Sequence, residues 1–256
     1  MKIAEVLVEA RFVSRPNRFI AQVEIDGRPE TVHVKNTGRC REILVPGTTV
    51  WLEPSDKPGR KTAYDLVAAK KPGRGVINID STLPNRLMKD WLQGCGEFDV
   101  VKAEQVCGTS RFDFYLERGG QPVWMEVKGC TLEQDGQGWF PDAPTVRGCR
   151  HVKELTDLAR AGTQAVLSFV IPVNGVTKVQ ANEANDPVFA RALEEAREAG
   201  VEIWHMACRV SPEEVTIVGV WWKQQMEQNR SDERRTAWAQ SRVQAVLAGC
   251  GCNGEG

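Results

Sequence analysis

A chain of 256 residues is long enough for one large domain or two smaller ones, each with a buried core. Its 41% hydrophobic and 26% charged residues exclude the disordered and fibrous classes. The formal net charge of -1 argues against a surface that binds polyanions all round, because non-specific nucleic-acid affinity comes mostly from neutralising phosphates.

At the N-terminus, Lys2, Glu5 and Glu9 interrupt the apolar residues and leave no signal-peptide core. We therefore expect a cytoplasmic protein. Residues 4–12, 18–26, 30–34, 48–53 and 64–70 read as short strands, with turn signals at Arg15-Pro16-Asn17, Asp26-Gly27, Pro46-Gly47 and Lys57-Pro58-Gly59. Five such strands predict a small barrel. In the second strand Phe19, Ala21, Val23 and Ile25 alternate with Ile20, Gln22, Glu24 and Asp26, which predicts one buried face. Asn36, Thr37, Arg39 and Arg41 offer amide and guanidinium donors to phosphates, or else form a tight strand-end turn. Six basic residues, Lys57, Arg60, Lys61, Lys70, Lys71 and Arg74, face the single acid Asp65. They read either as a phosphate-binding loop region or as two solvated turns.

At residue 80 the pattern changes. Ser81-Thr82-Leu83-Pro84 offers an N-cap and a first-turn proline for a helix over residues 85–93. Extended segments follow at 98–106, 111–117 and 122–132, then a helix at 146–161, a strand at 165–172, a helix at 187–199 and a strand at 201–210. This order predicts an α/β (α+β) domain, a mixed sheet covered by helices. The longest apolar run, 165–173, is about half the length that crosses a bilayer and contains Pro172, so no membrane partner is expected. The predicted division is a barrel over 1–80, an α/β domain over 81–222, and an appended helix and tail over 223–256. Of the eight cysteines, Cys40, Cys95, Cys107, Cys130, Cys149 and Cys208 lack zinc-site spacing and read as free thiols. Cys250 and Cys252 belong to a frayed tail, or bind metal, or form a strained disulfide.

Gly119-Gly120 joins two of the extended segments, as a hairpin turn would. A turn centred between the glycines sets Asp113 opposite Glu126 and Arg111 opposite Lys128. Phe112 with Val127 and Phe114 with Met125 then point to the other face. Opposed carboxylates about 4.5 to 5.5 Å apart at Cβ repel one another. A divalent cation, Mg²⁺ or Mn²⁺, relieves that repulsion, since such ions take one or two carboxylates plus waters and phosphate oxygens. Lys128, about 6 to 7 Å further along the strand from Glu126, can orient a metal-bound water or a phosphate. A solvated mixed-charge ladder of Arg111, Asp113, Glu126 and Lys128 is the other reading of the same pattern.

Asp113 followed by Glu126-Val127-Lys128 resembles the PD-(D/E)XK nuclease core. Longer strings resemble the sugar fermentation stimulation protein A family. They are Asn36-Thr37-Gly38 before Val45-Pro46-Gly47, Asn78 before Leu83-Pro84-Asn85, Ser110-Arg111-Phe112-Asp113-Phe114, Glu126-Val127-Lys128 with Thr131-Leu132, and Phe140-Pro141-Asp142-Ala143 running into Arg147-Gly148 and His151. The resemblance implies an N-terminal OB-like β-barrel and a PD-(D/E)XK nuclease-like α/β/α domain with a mixed sheet. It also implies DNA binding without strong sequence specificity and a regulatory link to sugar metabolism. The implied site is Asp113 and Glu126 as metal ligands with Lys128 as the lysine of the nuclease core. The DNA contacts expected from these readings are Asn36, Thr37, Arg39, Arg41, Arg60, Lys61, Lys70, Lys71 and Arg111. Asn85 stands where related nucleases carry a glutamate, and Gly129 where the family usually has asparagine. Asn85, Asp142, Arg147 and His151 are accessory candidates. Asp142 and His151 read equally as helix-capping or packing residues. A non-catalytic DNA-binding regulator, whose site only binds phosphate, is the alternative.

Overall fold

The computed structural model describes residues 1–56 and 58–222. Lys57, the helix expected beyond residue 222 and the Cys250/Cys252 pair lie outside them. Five N-terminal strands, β1 (Val8–Asn17), β2 (Ile20–Ile25), β3 (Arg28–Val34), β4 (Thr49–Pro54) and β5 (Tyr64–Lys71), form a barrel. β1 pairs antiparallel with β2 and β4, and β5 runs antiparallel to β4. Closure comes from a short parallel pairing of β3 with β5, at His33–Asp65 and Val34–Leu66. It joins β3, the first strand in the order β3-β2-β1-β4-β5, back to the last of them. A short strand unforeseen in the sequence, β6 (Gly75–Asn78), extends β5.

Two sequence expectations fail in the first hairpin. The expected turn at Pro16 lies inside β1, where the pairing with β2 is irregular between Phe12 and Asn17 and so tolerates a proline. Ala21 and Val23 are buried as expected, but Phe19 is 45% exposed. The turn forms at Asn17, whose Oδ1 accepts from the backbone N–H groups of Phe19 (2.9 Å) and Ile20 (3.1 Å), so Phe19 precedes the strand.

The second half runs α1 (Leu83–Gly94), β7 (Val100–Cys107), β8 (Ser110–Arg118), β9 (Gln121–Gly129), β10 (Glu133–Gln134), β11 (Gln137–Phe140), α2 (Val146–Arg160), β12 (Gln164–Ile171), β13 (Val179–Ala181), α3 (Pro187–Glu198), β14 (Glu202–Val210) and β15 (Val215–Trp222). Its main sheet has the order β15-β14-β12-β9-β8-β7. β7, β8 and β9 form an antiparallel meander, β9, β12 and β14 are parallel, and β15 returns antiparallel. β12 is buried along almost its whole length, which is why it reads as a continuous apolar run. Leu87, Met88 and Leu92 of α1 pack into one apolar cluster, and Val152, Leu155, Phe189 and Leu193 of α2 and α3 into another. That second cluster also contains Ala21, Val32 and Leu52 of the barrel. Among the described residues, no helix is long and apolar enough to cross a membrane. Among the described residues, Cys40, Cys107, Cys130, Cys149 and Cys208 form no disulfide.

Polar ties reinforce the junction. Asn36 Nδ2 donates to the Ile79 carbonyl (2.8 Å), and the Arg39 N–H donates to Asp142 Oδ2 (2.8 Å). A β-carbon on Gly38 would lie 2.6 Å from Asp142 Oδ2 and 2.9 Å from Asn36 Oδ1. Gly38→Ala should therefore cost about 1–3 kcal/mol, as overpacking does. A lowered thermal midpoint would show it, and Arg41→Ala, an exposed change nearby, should leave the midpoint unmoved.

Candidate metal and phosphate site

The β8–β9 hairpin has the expected register, from Arg118–Gln121 to Phe114–Met125, but its ladder stops one pair short of Asp113 and Glu126. The reason is local chemistry. Asp113 Oδ2 accepts the Val127 N–H at 2.8 Å, so a carboxylate takes a donor that would otherwise point to a backbone carbonyl. Its Oδ1 accepts from Asn85 Nδ2 of α1 at 2.7 Å. Beyond this point the expected facing is lost. Phe114 and Met125 share the α1-side cluster, whereas Phe112 joins the α2-side cluster and packs against Trp124 and His151 at ring-centroid distances of 5.7 and 6.2 Å. Arg111, expected opposite Lys128, is exposed and paired with Glu104 at 3.4 Å.

Glu126 lies on β9, between β8 and β12 in the sheet, and is 3% exposed. Its Oε1 accepts from Lys128 Nζ at 2.5 Å and from Nδ1 of the buried His151. Its Oε2 is buried with no hydrogen-bond partner. His151 comes from α2, whose start is fixed by two bonds. Thr145 Oγ1 caps the Gly148 N–H at 3.0 Å, and the Thr145 N–H donates to Asp186 Oδ2 at 2.8 Å.

The two carboxyls are pushed in opposite directions. Burial raises the Asp113 pKa and the Glu126 charge raises it further, against the Val127 N–H, Lys128 and Asn85. Burial also pushes Glu126 up, but the His151 hydrogen bond and then Lys128 outweigh it, and its pKa falls below the usual glutamate value. Glu126 is therefore ionised at neutral pH. Among the described residues, no group of three or more His, Cys, Asp or Glu is arranged to hold a metal. Two carboxylates suit an ion whose remaining ligands are waters and phosphate oxygens rather than an all-protein cage.

Asp113, Glu126, Lys128, Asn85 and His151 thus come together, and other candidates do not. The carboxylate of Asp142 is taken by the barrel turn, and Arg147 is exposed in the first turn of α2. Arg60 is paired with Asp65, and Lys71 and Arg74 with Glu133, so these three are not free for phosphate. Asn36 is bonded within the junction, while Thr37, Arg39, Arg41, Lys61 and Lys70 are exposed. Asp80, not Ser81 or Thr82, organises the start of α1, accepting the Thr82 N–H at 2.8 Å and pairing with Arg86 (3.0 Å) and Lys35 (3.1 Å). The sequence reading missed this group, whose signal is an Asp two residues before the helix-start Thr82. At Gly129 a β-carbon would sit 2.8 Å from Pro84 Cγ, so the proline ring of α1 fills the space a side chain would need.

Comparison with known proteins gives this arrangement a context. Residues 13–79 match the family described as SfsA N-terminal OB domain, and residues 82–214 match Sugar fermentation stimulation protein RE domain. The chain belongs to the SfsA family. It is 46% identical over 209 residues to a sugar fermentation stimulation protein homolog of Desulfitobacterium hafniense, covering 81% of this chain and 91% of that one. A Clostridium botulinum homolog is 44% identical over 223 residues, covering 85% and 96%. Among solved structures, Pyrococcus furiosus SfsA in complex with Ca²⁺ superposes with a TM-score of 0.72 at 33% identity, covering 87% of this chain and 96% of that one. The barrel followed by a mixed-sheet α/β domain is thus the SfsA architecture.

Proposed function

We propose that this SfsA-family protein binds DNA and takes up a divalent cation, Mg²⁺ or Mn²⁺, between Asp113 and Glu126, acting as a metal-dependent phosphodiesterase. The observation that carries the reading is the buried, unpartnered Oε2 of an ionised Glu126 beside a second carboxyl whose pKa that charge raises. An unmet buried acceptor costs about 1–3 kcal/mol, and more when charged. A cation meets that acceptor and neutralises the pair. The Ca²⁺ in the Pyrococcus furiosus protein supports a divalent ion in this family.

When bound, the ion would polarise a phosphoryl oxygen and lower the pKa of a water. Asn85 and the Val127 N–H hold Asp113 in place. The Lys128 ammonium lies beside Glu126, within reach of a phosphate or water next to the carboxylates. Exposed Arg39, Arg41, Lys61, Lys70 and Arg147 supply phosphate contacts that position DNA without reading its sequence.

One observation favours a second reading, a DNA-binding regulator of sugar metabolism that does not cleave. The Lys128 ammonium is already spent on Glu126 at 2.5 Å. Incubation with plasmid and Mg²⁺ or Mn²⁺ separates the two. Cleavage by the wild type, lost in Glu126→Ala and Lys128→Ala, is the expected result. Metal-independent DNA binding with no cleavage selects the regulator, and cleavage unchanged in both variants sinks the phosphodiesterase assignment.

A further inference from the structure

We infer that His151 is a positioning residue for cation uptake: by holding Oε1 of Glu126 from α2, it fixes the carboxylate so that Oε2 stays open to a divalent ion. The inference rests on the metal reading above and names the residue that prepares its ligand. A glutamate has a broad, roughly two-fold terminal torsion, so its two oxygens exchange freely unless one is held. Two donors hold Oε1, and they differ in stiffness. Lys128 carries its ammonium on a flexible four-carbon stem. His151 is 2% exposed, its ring packs against Phe112, and its helix is pinned at Thr145 by Gly148 and Asp186.

Where a carboxylate oxygen accepts, the ring nitrogen facing it donates, so the imidazole presents an N–H at Nδ1 to Oε1. This division of labour lets Lys128 swing to a phosphate while Glu126 keeps its orientation. His151 would hold the ligand, not the ion. It acts through Glu126.

Calorimetric titration of the full chain with Mn²⁺ and with Ca²⁺ tests this in three variants. His151→Leu keeps volume without a donor, His151→Asn puts an amide N–H near the position of Nδ1, and Lys128→Met removes the flexible donor. We expect His151→Leu to weaken binding about 10–100-fold, the usual effect of losing an outer-shell partner. His151→Asn should recover affinity to within a few-fold, and Lys128→Met should retain uptake. If His151→Leu does not fold, His151→Gln, whose amide reaches the Nε2 position instead, is the comparison for His151→Asn. Wild-type affinity in His151→Leu, or equal weakening in folded His151→Leu and His151→Asn, overturns the positioning role alone. A wild type that takes up neither ion overturns the metal reading and this role together.

Discussion

Replacing Glu126 by alanine is expected to abolish divalent-cation uptake and to destabilise the metal-free fold by about 3–5 kcal/mol, the cost of breaking a buried ion pair from one side. The variant strands two donors at once, the Lys128 ammonium with its side chain 15% exposed and the His151 Nδ1–H at 2%. Glu126→Gln separates the two effects. Its amide oxygen still accepts one of the donors, so the fold should lose less, but the negative charge is gone and uptake should still fail. Urea denaturation measures the first effect and metal titration the second. If Glu126→Gln binds Mn²⁺ or Ca²⁺ as the wild type does, Glu126 is not a ligand.

The part of this site that was legible in the sequence is the part set by local chain geometry. Gly119 and Gly120 both adopt positive φ, +57° and +74°, as a tight hairpin turn demands, and that turn alone fixes which residues of β8 and β9 face each other. What the register cannot tell is where the ladder ends. That depends on a competition between the Asp113 carboxylate and a backbone carbonyl for the Val127 N–H, and the outcome moved Phe112 and Arg111 away from their expected places. The His151 contact was less legible still, because it needs α2 packed on the sheet, with the partners 25 positions apart in the chain. Residues 215–222 illustrate a different failure. Val-Thr-Ile-Val-Gly-Val-Trp-Trp carries strand propensity but runs into a polar tail, and it is pairing with β14 that makes it the edge strand β15. The basic run up to Arg74 is legible in the sequence only as charge, and charge alone does not reveal the partner Glu133 far along the chain.

That distant partner, Glu133, sets the second large effect. Lys71 Nζ donates to Glu133 Oε2 at 2.7 Å and to its carbonyl at 2.6 Å, while Arg74 Nε and the Gly136 N–H reach Oε1 at 3.0 and 2.6 Å. The carboxylate is 4% exposed and joins the end of β5 and the following turn to β10. Glu133→Gln should therefore cost about 3 kcal/mol at neutral pH, as removal of a buried charge partner does. Burial pushes this carboxyl up, but the Lys71 hydrogen bond, the Gly136 amide and the charges of Lys71 and Arg74 outweigh it and hold the pKa below the usual glutamate value. A lowered folded-state pKa means the unfolded chain binds the proton more readily. The stabilisation is then fully present above the unfolded value, about 4.3, and is lost as pH falls through the lowered one. Urea denaturation of wild type and Glu133→Gln should give curves separated by a constant gap from pH 7 to pH 5, narrowing in more acid solution. A gap that stays constant into acid would mean that the charge of Glu133 does not support the fold. Because Asp113 and Glu126 lie outside this clamp, the cation uptake proposed for them should be the same in wild type and Glu133→Gln at pH 7.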